Sequence, residues 1–262
     1  MMSAILPLSD GGRVRLLSAG DGPAVLLIHG VGLRAEVWGP QSQALSATHR
    51  VLAVDMPGHG ESDPLPPGAS LPDFVAWAAR VVDALALGPV AVAGHSMGAL
   101  IAGGLAVTRP DLVAGVAMLC PVHRRGPEAR AAVMARATDI AAGRGDPEAP
   151  LARWFTADEA APRALCADML RNVSPSGYAT AYAAFAAGDA TYADRLTGIR
   201  CPALILTAAG DANSTPAMTY AIADAIPGAA ALVIPGHRHM LTLTAADQVN
   251  AALSDWLKET ST

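Results

Sequence analysis

The segment Gly94-His95-Ser96-Met97-Gly98 fits the pattern G-x-S-x-G and leaves the backbone few solutions. It follows an apolar run, Val90 to Ala93, that reads as a buried strand. It precedes a helical stretch that begins at Met97. A strand entering a helix through such a segment turns so sharply at the serine that a side chain on either flank would clash, hence glycine at 94 and 98. The turn lifts the Ser96 hydroxyl out at the carboxyl end of the strand, where open α/β sheets bind their ligands. It also sets Ser96 at a helix N-terminus, whose N–H groups favour developing negative charge. The bland alternative is a glycine-rich turn with an idle serine, and the flanking strand and helix weigh against it.

Around this segment, short β-rich runs alternate with longer helical ones, the pattern of a mostly parallel sheet covered by helices. Strands are expected at Arg13 to Ser18, Ala24 to Ile28, Arg50 to Val54, Val90 to Ala93, Val113 to Leu119, Ala203 to Thr207 and Ala231 to Ile234. Ala24 to Ile28 is apolar throughout, as a strand covered on both faces should be. Leu71 to Leu87 carries apolar residues at helical spacing and stops at Gly88-Pro89, and Ala245 to Lys258 is the closing helix. From about His123 to Thr197 the composition is helical and contains no convincing strand. So long a helical stretch between two strands reads as a cap over the sheet rather than a crossover. The expected organisation is a core of 1–122 and 198–262 with a helical cap, or lid, of 123–197.

Composition narrows the partners. Hydrophobic residues make up 52% and charged ones only 16%, below the roughly one quarter usual for soluble domains. A net charge of −5 provides no footprint for nucleic acid or anionic lipid. The three cysteines, Cys120, Cys166 and Cys201, are odd in number, share no metal-ligand spacing and read as reduced thiols. Met1 to Leu8 lacks the basic and apolar regions of a signal peptide, and Leu112 to Val122 is too short to span a bilayer. The expectation is a cytoplasmic protein with a small-molecule substrate, no nucleic acid and no membrane, and with room for a homo-oligomer.

A serine hydroxyl needs a base, and the base needs a third group to hold it. The strand Ala203 to Thr207 runs into Gly210-Asp211, which places Asp211 at the same sheet edge as Ser96. Ala231 to Ile234 leads into Pro235-Gly236-His237-Arg238-His239-Met240. Two histidines compete there. His239, followed by the apolar Met240-Leu241, fits the base better, and the other is then a loop histidine bonded to its surroundings. The loop His29-Gly30-Val31-Gly32 follows the strand ending at Ile28, so the Val31 and Met97 amides can converge on an oxyanion. His29 reads as a structural residue of that loop. Asp55, beside Pro57, Gly58 and Gly60, reads as part of a hydrogen-bonded turn.

Taken together, the His29-Gly30 loop, the Asp55-to-Ser62 turn, the Ser96 elbow, Asp211 and His239 resemble the α/β-hydrolase superfamily over nearly the whole chain. That resemblance implies an eight-stranded, mostly parallel sheet flanked by helices, a helical lid, no metal and no cofactor. Arg153-Trp154-Phe155-Thr156, Asn172 to Tyr178, and Trp38 are more narrowly similar to the 3-oxoadipate enol-lactonases and their neighbours. This implies a serine esterase or lactonase of aromatic compound degradation, opening a small carboxylate-bearing ester or enol lactone through an acyl-enzyme. Carbon–carbon or amide hydrolysis on the same Ser-His-Asp triad is the alternative, as is a small-molecule receptor that turns nothing over. A carboxylate-bearing substrate calls for arginine, whose planar fork matches it. Arg34, Arg124, Arg125 and Arg153 are the candidates, with Trp38 and Trp154 as walls.

Overall fold

Residues 1–260 are described by the computed structural model. Eight strands form one sheet: β1 (Met2–Pro7), β2 (Arg13–Ala19), β3 (Ala24–Ile28), β4 (Arg50–Val54), β5 (Val90–His95), β6 (Val113–Leu119), β7 (Ala203–Ala208) and β8 (Ala230–Ile234). Their order is β1-β2-β4-β3-β5-β6-β7-β8. The β1–β2 and β2–β4 pairs are antiparallel and all the others are parallel.

Side-chain alternation along the central strands builds a core on each face. On β3, Leu26 and Ile28 join one cluster while Val25 and Leu27 join the other. The first face is covered by α2 (Leu71–Leu85) and α3 (Met97–Thr108), through Phe74, Trp77, Ile101 and Leu105. The second is covered by α1 (Gly39–Leu45) and the closing helix Ala246–Glu259, through Leu45, Leu253 and Trp256. A sheet buried on both sides explains why its parallel strands read as unbroken apolar runs.

Four further helices stand between β6 and β7: α4 (Pro127–Ala141), α5 (Glu148–Trp154), α6 (Ala160–Asn172) and α7 (Pro175–Ala187). α8 (Pro216–Ala225) lies between β7 and β8, and a single turn, α9 (Leu241–Thr244), precedes the closing helix α10. No helix among the described residues is long and apolar enough to cross a membrane.

One strand lies outside the sequence expectation. β1 sits at the sheet edge, and of its six residues only Ile5 to Pro7 includes one that is even partly buried. With almost no covered face it carries no period-two hydrophobic signal. Its six-residue register against β2 holds it instead.

The strand order places a switch point where β3 sends the chain outward to β4 on one side and lies against β5 on the other. The loops leaving this point are fastened from below. Asp55, fully buried after β4, receives the Ala35 amide at 2.8 Å on one oxygen, and Arg15 at 3.1 Å with the Glu61 amide at 3.2 Å on the other. His29 donates from Nδ1 to the Gly30 carbonyl at 2.7 Å and accepts the Met56 amide on Nε2 at 2.9 Å. His59 donates to the Pro57 carbonyl at 3.0 Å and accepts the Gly32 amide at 2.9 Å. Each imidazole uses one nitrogen as donor and the other as acceptor, which only the neutral ring can do.

Burial, the largest influence on both, pushes His29 down to about 4 and His59 to about 3. Unfolded, the same rings take up a proton near ~6.5. Stability is therefore full above that value and is lost as pH falls through the interval down to about 4 and 3, because the unfolded chain binds the extra protons. The urea midpoint should decline steadily from pH 6.5 to pH 4, and a midpoint unchanged over that range would contradict the assignment of neutral buried histidines.

Candidate active site

Ser96 joins β5 to α3 with φ 57° and ψ −114°, a conformation that L-residues seldom adopt. Its amide donates to the Leu119 carbonyl at 2.8 Å. The flanking glycines are required by contact: a Cβ on Gly94 would fall on the Gly98 carbonyl, and one on Gly98 would fall on the Ile28 carbonyl. Met97 opens α3, so its amide has no intrahelical partner and faces the N-terminal side of the helix.

The loop after β3 reaches the same place. A Cβ on Gly30 would stand 3.1 Å from Ser96 Cβ. The Leu33 amide closes a turn onto the Gly30 carbonyl at 3.2 Å, and the Gly32 amide is spent on His59. Val31, between them, is buried.

Asp211 follows β7 and is buried. Its Oδ1 accepts the Asn213 and Ser214 amides at 2.8 and 3.1 Å, and its Oδ2 accepts His239 Nδ1–H at 2.7 Å. Burial works to raise the Asp211 carboxyl. The charge and hydrogen bond of His239 and the two amides outweigh it, and the net shift is downward. Asp211 thus stays ionised and fixes the His239 tautomer, leaving Nε2 as the basic nitrogen. The other histidine of the loop, His237, turns its Nδ1 to Thr244 Oγ1 at 3.0 Å.

Two residues to which the sequence reading gave no role in the site hold His239 by its backbone. Its carbonyl accepts His95 Nε2–H at 2.9 Å and Cys120 Sγ–H at 3.3 Å. His95 is a variable residue of the elbow, its ring centroid 4.9 Å from that of His239, and it ties the His239 loop to the position directly before Ser96. Burial pushes the Cys120 thiol up, with Asp211 adding to the effect, so the sulfur remains a protonated donor. Ser214 Oγ ties the Cys120 carbonyl at 2.6 Å and so joins the Asp211 turn to β6. His95, Cys120 and His239 bring potential metal-ligating atoms within 4.8 Å of one another. Their contacts to the His239 carbonyl and to Asp211 already employ His95 Nε2, the Cys120 thiol and His239 Nδ1. The only clue in sequence was position, since His95 and Cys120 end or follow neighbouring strands.

The aromatic and arginine candidates are scattered. Trp154 lies with its ring centroid 5.8 Å from that of His239. Trp38 is wholly buried, in the core cluster on the face of the sheet that α1 and the closing helix cover. Arg34 is bound to Asp168 at 3.0 Å and Glu36 at 3.5 Å, and Arg124 to Asp194. Arg125 is buried against Asp189 at 3.6 Å and over the Phe185 ring at 4.5 Å. The guanidiniums of these three already have carboxylates, and all but Glu36 come from residues far away in sequence. Arg153 has none.

Residues 25–252 match the sequence model of the alpha/beta hydrolase family. The chain is 47% identical over 264 residues to the (E)-2-((N-methylformamido)methylene)succinate hydrolase of Acinetobacter baylyi, across 99% of this chain and 100% of that protein. Among solved structures, the enol-lactonase from Burkholderia xenovorans LB400 is similar with a TM-score of 0.88 and 29% identity, over 98% of this chain and 100% of its own. A thermophilic esterase from Thermogutta terrifontis, solved with malate bound, is similar with a TM-score of 0.90 and 25% identity, over 100% of both chains. With an eight-stranded sheet of the matching architecture, the chain belongs to the alpha/beta hydrolase family and is a hydrolase.

Proposed function

We propose that this hydrolase cleaves a small, carboxylate-bearing acyl compound through an acyl-enzyme on Ser96, with His239 as base and Asp211 as its anchor. The observation that carries this reading is the buried 2.7 Å bond from His239 Nδ1–H to Asp211, which leaves Nε2 to take a proton. His239 Nε2 removes the Ser96 proton as Oγ attacks the carbonyl carbon. The Val31 and Met97 amides receive the oxyanion. As the tetrahedral intermediate collapses, His239 gives its proton to the leaving atom. Water then repeats the sequence on the acyl-serine, and the acid and free Ser96–OH result.

The preferred substrate is a formamide. The 47% relative is named for an N-methylformamide carried on a methylene succinate. In such a compound the acyl group is formyl, the leaving atom is an enamine-type nitrogen, and two carboxylates lie nearby. A second reading, the enol lactone, draws on the 0.88 TM-score to the enol-lactonase. Its leaving atom is an enol oxygen, also attached to a double bond, so both substrates ask the same things of Ser96 and His239.

Replacing Ser96→Ala should reduce turnover of either substrate by roughly 10⁴-fold or more and leave thermal unfolding intact. A fluorophosphonate probe should label Ser96 alone, and labelling of another residue would sink the assignment. His239→Ala should abolish acylation, while His237→Ala should retain most of it because His237 is engaged with Thr244. Reversed effects would move the base by two residues. A panel of an N-formyl enamide dicarboxylate, an enol lactone and a nitrophenyl ester should show the first as the best substrate by kcat/KM. A preference for the lactone would install the second reading.

A further inference from the structure

Six arginines stand between residues 127 and 187. Four of them face a carboxylate: Arg130 meets Asp189, Arg144 meets Asp139, and Arg163 and Arg171 share Glu148. Among the described residues, no salt bridge forms to the remaining two, Arg136 on α4 and Arg153 on α5. Both are half-buried. Arg136 donates to the Tyr182 hydroxyl at 3.1 Å, while the Nε of Arg153 is buried with no hydrogen-bond partner at all.

This arrangement is costly as it stands. Burial pushes the Arg153 guanidinium down and the like charge of Arg136 adds to it, with only the tyrosines Tyr182 and Tyr178 pulling the other way. An unpaired, partly desolvated donor set of this kind is stabilised by an anion, and best by one that can accept two parallel hydrogen bonds.

The pair is joined to the active site at both ends. Trp154, next to Arg153, places its ring against that of His239. Tyr178 lies so close to Gly32 of the oxyanion loop that a Cβ there would meet its ring at 3.0 Å. Tyr178 in turn meets Tyr182 edge-on at 5.8 Å, and Tyr182 holds Arg136. From Gly32 the contacts therefore run through the rings of Tyr178 and Tyr182 to Arg136.

We infer that Arg153 and Arg136, steadied by Tyr178 and Tyr182, form the subsite that receives the carboxylates of the substrate. The inference rests on the proposal above that the substrate carries carboxylates, and it selects Arg153 from the four sequence candidates while adding Arg136. The carboxylates would replace the missing counter-charge, so recognition of a dicarboxylate and relief of the buried guanidinium are one event.

Itaconate, a methylene succinate with no scissile bond, and its dimethyl ester are suitable probes by isothermal titration calorimetry. Itaconate should bind the native protein and the Ser96→Ala variant alike, and more tightly than its diester. Arg153→Gln and Arg136→Gln should each weaken itaconate at least tenfold and leave the diester unchanged. Arg153→Lys should fall between, because an ammonium keeps the charge without the fork. Arg144→Gln, on the surface, should behave as native. If Arg153→Gln proves unfolded in a thermal melt, Arg153→Lys and Arg136→Gln carry the comparison. Itaconate bound equally by native and arginine variants, or no better than its diester by the native protein, would overturn the subsite. Turnover surviving in Ser96→Ala would instead overturn the nucleophile, which separates the two failures.

Discussion

The backbone of Ser96 is held in a sparsely populated conformation that costs about 1–3 kcal/mol by itself. Three contacts offset that cost: the Ser96 amide on Leu119, the Gly94–Gly98 approach, and the packing of Gly98 against the Ile28 carbonyl. Each belongs to a different strand, β6, β5 or β3, so the hydroxyl is positioned by the centre of the sheet. The helix that follows, from Met97 to Ala106, is buried on every side. It therefore cannot shift to relieve the turn, and the strain is locked in by the surrounding core.

Four of the seven histidines serve this one region, and they divide into two kinds. His29, His59 and His95 are struts. Each is fully enclosed, and burial pushes each well below its ordinary value, His95 to about 3. The rings of His29 and His59 each bridge two backbone groups, His95 donates to the His239 carbonyl alone, and all three, being neutral, bring no charge into the site. His239 is placed differently, with a carboxylate on one nitrogen and its backbone carbonyl clamped by His95 and Cys120. The clamp fixes the ring from behind while Asp211 fixes it from the side, so rotation about the side chain is the freedom most restricted. Preorganisation of this sort is what the role of general base proposed for His239 requires.

Most of the framework was legible because it is local. The central strands are buried on both faces, so Ala24–Ile28 and Arg50–Val54 read directly as strands. The elbow was legible for the same reason, since its glycines, strand and helix are contiguous. The edge strand Met2–Pro7 was not, because an exposed strand has no hydrophobic face to betray it. The ends of α2 and β5 were displaced by two residues. Ala86 adopts a left-handed conformation and stops the helix before Gly88-Pro89, while β5 extends to His95 against β6. The arginines were the hardest to judge. Whether a guanidinium is available depends on carboxylates that folding brings from elsewhere, as Asp168 reaches Arg34 across 134 positions of sequence. His95 and Cys120 were hidden because they act on a backbone carbonyl more than a hundred residues away.

The central claim is that chemistry passes through a covalent acyl group on Ser96. It is tested most directly by quenching the enzyme with acid during steady turnover of an N-formyl enamide dicarboxylate and mapping the digested peptides by mass spectrometry. The account predicts a formyl ester on the peptide containing Ser96, absent both in Ser96→Ala and in His239→Ala, which lacks the base that acylation needs. A turning-over enzyme with no acyl adduct, or with the adduct on Cys120 or any other side chain, would contradict it.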